Sequence, residues 1–241
     1  MTNAHVNKST THLAVAYLAA TCLIASCLTA CQTTKVRPAA PAPAAPLVST
    51  AGARHYRVDS AASELHILVY RGGPMAHLGH NHVLSSPSVE GDIYLQDDVS
   101  KSLVSLALPV DSLVVDDAQA RSVEGDDFSA AVPDEAREGT RQHLMQPETL
   151  DAEHYPMITL QSVAIGGTRH APQLTMRVTL KGVARDVDVN ATVIEDDHRL
   201  TATGEFSILQ TDFGITPFSV ALGALKVQDG VRIKFKIVAA G

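Results

Sequence analysis

The stretch QLTMRVTLKGVARDVDVNATVI, residues 173–194, decides the fold that the sequence predicts. Apolar and polar residues alternate through 173–180 and again through 185–194, a pattern typical of half-buried β-strands. Lys181-Gly182 falls between the two runs, and a short loop containing glycine is a hairpin signal. The stretch therefore predicts two antiparallel strands joined by a tight turn.

Similar short runs lie on both sides of this hairpin, separated by turn residues such as Gly166-Gly167 and Asp229-Gly230. Further strands are predicted at 55–59, 64–70, 89–95, 103–113, 157–165, 200–208 and 231–238. A polar stretch at 116–147 interrupts them and contains a predicted helix at 134–145. Eight or more strands with one helical insertion predict an all-β fold, and a closed antiparallel barrel is favoured because closure removes exposed edges.

Composition excludes some classes of function. Of the 241 residues, 45% are hydrophobic and 19% are charged, an ordinary balance for a folded domain. The formal net charge of -7 offers no basic face, so we expect no nucleic-acid partner. All three cysteines lie within the first 31 residues, and the predicted barrel therefore has neither a disulfide nor a thiolate nucleophile.

The N-terminus predicts export and lipidation. Residues 13–28 are almost wholly apolar, too few for a membrane span and typical of a secretory signal. They lead to Leu28-Thr29-Ala30-Cys31, which resembles the bacterial lipobox with its acylated cysteine. Ile24-Ala25-Ser26-Cys27 fits the same pattern, but polar residues begin directly after Cys31, and we prefer Cys31 as the lipid attachment site. An ordinary signal peptide with incidental cysteines is the alternative.

These features give three segments: a lipoprotein signal peptide at 1–30, a tether at 31–53 and a barrel domain at 54–241. Residues 37–50 are rich in proline and alanine and predict an extended spacer. Gln32 follows the predicted anchor, and by resemblance to other lipoproteins this indicates the outer membrane rather than the inner one. We expect a cell-envelope protein, anchored on the periplasmic side.

Several short motifs occur in an order that resembles the YceI-like, polyisoprenoid-binding family. They are Tyr56-Arg57-Val58-Asp59, Leu150-Asp151, Tyr155-Pro156, Leu180-Lys181-Gly182-Val183 and Asp212-Phe213-Gly214-Ile215. The likeness covers roughly residues 56–238. It implies a lipocalin-like barrel that holds a long isoprenoid chain, such as a quinone tail, in its lumen. The segment Gly79-His80-Asn81-His82 resembles an element of one branch of the family.

One face of each strand should line this lumen, because successive side chains of a strand point to opposite sides. The candidates are Leu65, Ile67, Val69, Leu106 and Leu108. The resemblance adds Phe213 as a ligand-binding residue. No cofactor is predicted with certainty; an isoprenoid quinone is the expected type of ligand.

The histidines between the first two long strands leave three interpretations open. His77, His80 and His82 form an H-x-x-H-x-H pattern, in which residues 80 and 82 of an extended segment share one side. Together with His143 from the predicted helix they can bind zinc or copper, which accept imidazole ligands. His80 and His82 can instead contact the polar head of a lipid at a barrel opening. Hydrogen bonding to backbone or solvent is the third interpretation.

No catalytic apparatus is legible in the sequence. A G-x-S-x-G elbow and a phosphate-binding glycine loop are both missing. We therefore predict a non-enzymatic carrier of an apolar lipid. A histidine-dependent metal-binding or redox-accessory protein is the alternative, and an enzyme of unknown reaction ranks last.

Overall fold

The structure, a computed structural model, describes residues 37–38, 50–196 and 198–241. The predicted signal peptide, Cys31 and most of the tether lie outside the described residues. The strands are β1 Arg37–Pro38, β2 Arg54–Val58, β3 Glu64–Val69, β4 Arg71–Gly72, β5 His82–Ser85, β6 Glu90–Leu95, β7 Leu103–Pro109, β8 Val114–Val115, β9 Met157–Gly167, β10 Pro172–Leu180, β11 Val183–Glu195, β12 Arg199–Leu209, β13 Ser219–Val220, β14 Leu225–Val227 and β15 Gly230–Ala240. The α-helices are α1 Ala118–Ser122 and α2 Asp134–Met145, and short 3-10 helices occupy Ser60–Ala62, Ala76–Leu78, Val99–Lys101, Val110–Ser112, Asp126–Phe128, Gln210–Phe213 and Ala221–Gly223.

Eight strands close an antiparallel barrel in the order β2-β6-β7-β9-β10-β11-β12-β15, with β15 pairing back to β2. The prediction of an all-β barrel is confirmed. Beside this ring, β3 pairs with the first half of β15, and β5 and β8 extend the sheet outward from β3. A separate small sheet joins β13, β14 and β4.

The β10–β11 hairpin forms where the sequence predicts it. Leu180 pairs with Val183, which leaves Lys181 and Gly182 as a two-residue loop. Both have positive φ, 51° and 71°, the combination that matches the twist of a two-stranded ribbon. A Cβ at position 182 would lie 2.4 Å from the Tyr155 ring, so close packing as well as backbone conformation requires glycine there.

The strand predicted at 103–113 is too long. In the structure β7 ends at Pro109, a 3-10 turn follows at Val110–Ser112, and β8 then pairs with β5 instead of β9. Proline has no N–H to donate, which favours the end of a strand. The helix predicted at 134–145 is confirmed as α2.

None of the helices in the described part of the chain is long and apolar enough to span a bilayer.

Candidate functional site

The barrel encloses a cavity of about 510 Å³. In β3, the side chains of Leu65, Ile67 and Val69 line this cavity, while the alternate residues face the other side of the strand. Leu106 and Leu108 of β7 line it as well. The structure therefore places all five lumen candidates on the inner face. Strands β9 to β12 and β15 add mainly aliphatic and aromatic side chains.

Strand β10, which is 9 residues long, runs from one end of the cavity to the other. Arg169 precedes this strand and lines one end of the cavity. Lys181 follows it and donates to the carbonyl of Gly214, and the nearby Thr216 N–H donates to the carbonyl of Glu148, just after α2. These ends are called the Arg169 end and the α2 end.

Polar side chains at the Arg169 end are bound to one another. The carboxylate of Glu195 accepts bonds from the Tyr56 hydroxyl at 2.6 Å and from Arg169 at 2.7 Å, and Arg54 pairs with it at 2.6 Å. Burial, followed by the hydrogen bond to Glu195, raises the pKa of Tyr56 to about 12. The polar side chains at the Arg169 end are thus already bonded to Glu195.

Helix α2 contributes a stripe of side chains to the opposite end. Ala136, Gly139, Thr140, His143 and Leu144 all line the cavity. Their spacing of three and four residues puts them on one face of a helix. His143 also packs edge-on against Phe218, with ring centroids 5.0 Å apart.

His82 lies at the same end. It pairs with Val69 across β5 and β3, and the next residue, Tyr70, accepts a bond from Gln228. Val227, which precedes Gln228, donates its N–H to the carbonyl of Phe218, and the Phe218 ring packs against His143. His82 and His143 thus line the same cavity end, while His80 is not part of the lining.

A buried carboxylate orients the His82 ring. Asp116 is only 1% exposed, and its Oδ2 lies 2.6 Å from His82 Nδ1. Its Oδ1 accepts hydrogen bonds from the Val83 N–H and from Arg121. Burial acts to raise the pKa of Asp116, but the bonds from His82 and Val83 outweigh it and hold the pKa below its usual range. An ionised carboxylate only accepts, so Nδ1 of His82 carries the hydrogen of this bond.

The segment that carries Asp116 is fixed to the outside of the barrel. Glu124, after α1, lies 2.6 Å from His66 Nδ1 and accepts a bond from Lys234 at 2.7 Å. His66 therefore faces away from the cavity, opposite Leu65 and Ile67. Phe128 packs beneath the same segment in a small outer core. These contacts position Asp116 behind His82.

Thr149 is a polar residue of the α2 end that sequence reasoning missed. It lines the cavity and is 7% exposed, and its hydroxyl has no hydrogen-bond partner among the described residues. The neighbouring Glu148 carbonyl accepts from Thr216, which also lines the cavity. A ligand oxygen or N–H at this end would satisfy the Thr149 hydroxyl.

The predicted metal ligands do not form a cluster. Within the described residues, no group of three or more histidine, cysteine or acidic side chains is arranged to hold a metal ion. The rings of His80 and His82 are 6.3 Å apart, and His77 is exposed on a 3-10 turn. His82 instead binds Asp116, so the metal interpretation has no ligand set here.

Phe213 does not line the cavity, contrary to its prediction as a ligand-binding residue. It is fully buried in the main core, at the end of the 3-10 turn Gln210–Phe213. Gly214 follows with φ of 69°, which turns the chain and holds the ring inside the protein wall. Its role is packing.

Fold and cavity together define a β-barrel suited to binding a hydrophobic ligand. Residues 56–239 match the family model of the YceI-like domain. Because this match spans more than half of the chain, the protein belongs to the YceI-like domain family.

Two solved structures are similar to this chain. BcnA of Burkholderia cenocepacia superposes with a TM-score of 0.57 at 19% identity, over 75% of this chain and 98% of that chain. The YCEI protein of Campylobacter jejuni gives a TM-score of 0.47 at 15% identity, over 66% of this chain and 84% of that chain. Comparison with curated proteins finds no matching sequence.

Proposed function

We propose that the protein is a lipid-anchored carrier of the cell envelope that holds an isoprenoid or quinone-like lipid in its barrel. The observation that carries the proposal is the cavity of about 510 Å³, lined by the apolar faces of the strands. Each methylene moved from water into such a cavity contributes about 0.8 kcal/mol before entropic costs. The carrier makes and breaks no covalent bond.

The distribution of polar groups supports a ligand with one polar head. At the Arg169 end, Glu195 already satisfies the neighbouring side chains. At the α2 end, the Thr149 hydroxyl has no hydrogen-bond partner among the described residues, and His82 lines the cavity with its Nδ1 bound to Asp116. The Thr149 hydroxyl can donate a hydrogen bond to a quinone oxygen or accept one from a phenol hydroxyl. We therefore assign the head to the α2 end and the tail to the remaining length of the barrel.

Anchoring and localisation rest on the sequence. Acylation of Cys31 and the proline- and alanine-rich tether after it would hold the barrel at the periplasmic face of a membrane, with the outer membrane favoured by Gln32. Several acyl chains anchor firmly, whereas a single chain binds only reversibly.

Native mass spectrometry of the full chain, purified from envelopes without detergent exchange, tests the proposal. We expect bound lipid that extracts into organic solvent and gives a mass series spaced by one isoprene unit. Leu106→Glu places a carboxylate on the cavity wall and should abolish lipid retention. Ile194→Glu is the matched control, because Ile194 is 70% exposed on the outer face of β11. Lipid-free wild-type protein, or equal lipid content in both variants, would refute the proposal.

A further inference from the structure

Exposed apolar side chains are concentrated at the α2 end of the barrel. Two segments, 73–79 and 216–225, carry them and form a structure called here the apolar lip. Its large exposed members are Met75, Leu78, Phe218, Val220 and Leu222. Neither segment contains an aspartate, glutamate, lysine or arginine. A contiguous exposed apolar surface marks an interaction site more often than it marks ordinary surface.

The two segments of the lip are built to lie together. The β4 and β14 strands pair beneath it, and Met75 N–H donates to the Ala224 carbonyl at 2.8 Å. Gly73 has φ of 90°, and a Cβ there would lie 2.5 Å from the same carbonyl oxygen. Only glycine permits this approach, so Gly73 allows the two segments to pack together as one surface.

At the tip of the lip, a leucine side chain projects into solvent. Ala221 and Leu222 both have positive φ, 51° and 56°, which non-glycine residues rarely adopt. The Leu222 side chain is fully exposed as a result. A strained backbone that projects leucine into solvent is unfavourable for the isolated domain and is consistent with a partner that takes up the side chain.

The lip is continuous with the opening of the cavity. Phe218 lines the cavity and is also 42% exposed, and its ring packs against His143 of α2. An apolar molecule leaving the cavity beside Phe218 would pass directly onto the lip. This continuity indicates a partner that exchanges the ligand.

Chain connectivity and charge indicate the same partner. Arg37 in β1 pairs with Asp186, near the start of β11 and hence near the α2 end. Segment 31–37 spans at most roughly 20 Å, so an acylated Cys31 would tether this end to the membrane. Lys226, exposed on β14 beside the lip, can meet an anionic lipid headgroup.

We propose that the apolar lip inserts into the surface of a lipid bilayer, so that the ligand passes between the membrane and the cavity without crossing water. This inference rests on the proposed carrier function. The bilayer takes up Leu222, Val220 and Phe218, and the cavity then opens into the membrane interface.

Fluorescent probes on the full chain test the insertion. Leu222→Cys and the control Ile194→Cys are labelled with an environment-sensitive dye and reconstituted into phosphatidylethanolamine and phosphatidylglycerol vesicles, with unsubstituted protein as the labelling blank. We expect the probe at 222 to emit at shorter wavelength and to be quenched severalfold by brominated acyl chains, while the probe at 194 stays unquenched. Equal responses at both sites, or none, would overturn the proposal. A shift at 222 that depends on protein concentration without vesicles would overturn it in favour of a second copy.

A second measurement separates docking from carrying. Leu222→Asn retains a residue tolerated at positive φ but removes the apolar side chain. It should slow ligand transfer from vesicles severalfold without changing the amount bound at equilibrium, whereas Ile194→Asn should change neither. Unchanged transfer by Leu222→Asn refutes the docking surface. Absence of bound lipid in wild-type protein whose 222 probe still inserts refutes the carrier function alone.

Discussion

Replacing Thr149 with valine should stabilise the empty protein and weaken its ligand binding. Valine has nearly the shape of threonine but lacks the hydroxyl. In the structure that hydroxyl is buried in the cavity wall with no partner among the described residues. A buried hydroxyl without a hydrogen bond costs free energy, and a ligand that bonds to it recovers part of that cost.

Both effects have an expected size. Removing the unpaired hydroxyl should raise the free energy of unfolding of lipid-stripped protein by about 1–2 kcal/mol. For a domain of this size that corresponds to a Tm increase of roughly 2–8 °C. Losing one hydrogen bond to the ligand head, about 0.5–1.5 kcal/mol, should weaken the affinity roughly 2- to 10-fold.

Calorimetry of lipid-stripped protein and a binding titration with a short-chain quinone measure the two effects. Thr140→Val is the matched control, because Thr140 lines the same cavity end but is partly exposed on α2. Its effect on stability should stay within about 0.5 kcal/mol. A Thr149→Val protein with unchanged stability would show that water already satisfies the hydroxyl. Unchanged affinity would remove Thr149 from the head-binding end.

Three further predictions concern Asp116, Tyr56 and the lipid anchor. Because the pKa of Asp116 is lowered, its contribution to stability is present above about pH 4 and is lost as the pH falls further. The urea midpoints of wild type and Asp116→Asn should therefore converge in acid. A constant gap between the two midpoints would contradict this. Tyr56, with its pKa raised to about 12 by burial and Glu195, contributes stability below about pH 10 that is lost as the pH rises toward 12. Urea midpoints should therefore fall less steeply in alkali for Tyr56→Phe, and parallel curves would argue against it. Mass spectrometry of the mature N-terminus should find acylated Cys31 followed by Gln32, and detection of Cys27 as the first residue would contradict the anchor.

Local sequence patterns determined the strands that form the barrel wall. Alternation in 173–180 and 185–194, with Lys181-Gly182 between, predicted β10, the turn and β11. The same period of two put Leu65, Ile67 and Val69 on one face, which is the face that lines the cavity. This succeeds because side-chain direction along a strand depends only on neighbouring residues.

Only the tertiary structure decided how the α2 end is built. Strands of two to four residues, such as β4, β5 and β14, are too short to give a periodic signal, so the lip was not predicted. Asp116 meets His82 across 34 residues of sequence, and Thr149 reaches the cavity through the return of the chain after α2. Phe213 is a different case. It was predicted to bind ligand because it belongs to a family motif, but the motif does not indicate that its ring lies in the core. Contacts of this kind form only when the fold brings distant segments of the chain together, and the local order of residues does not determine which segments meet.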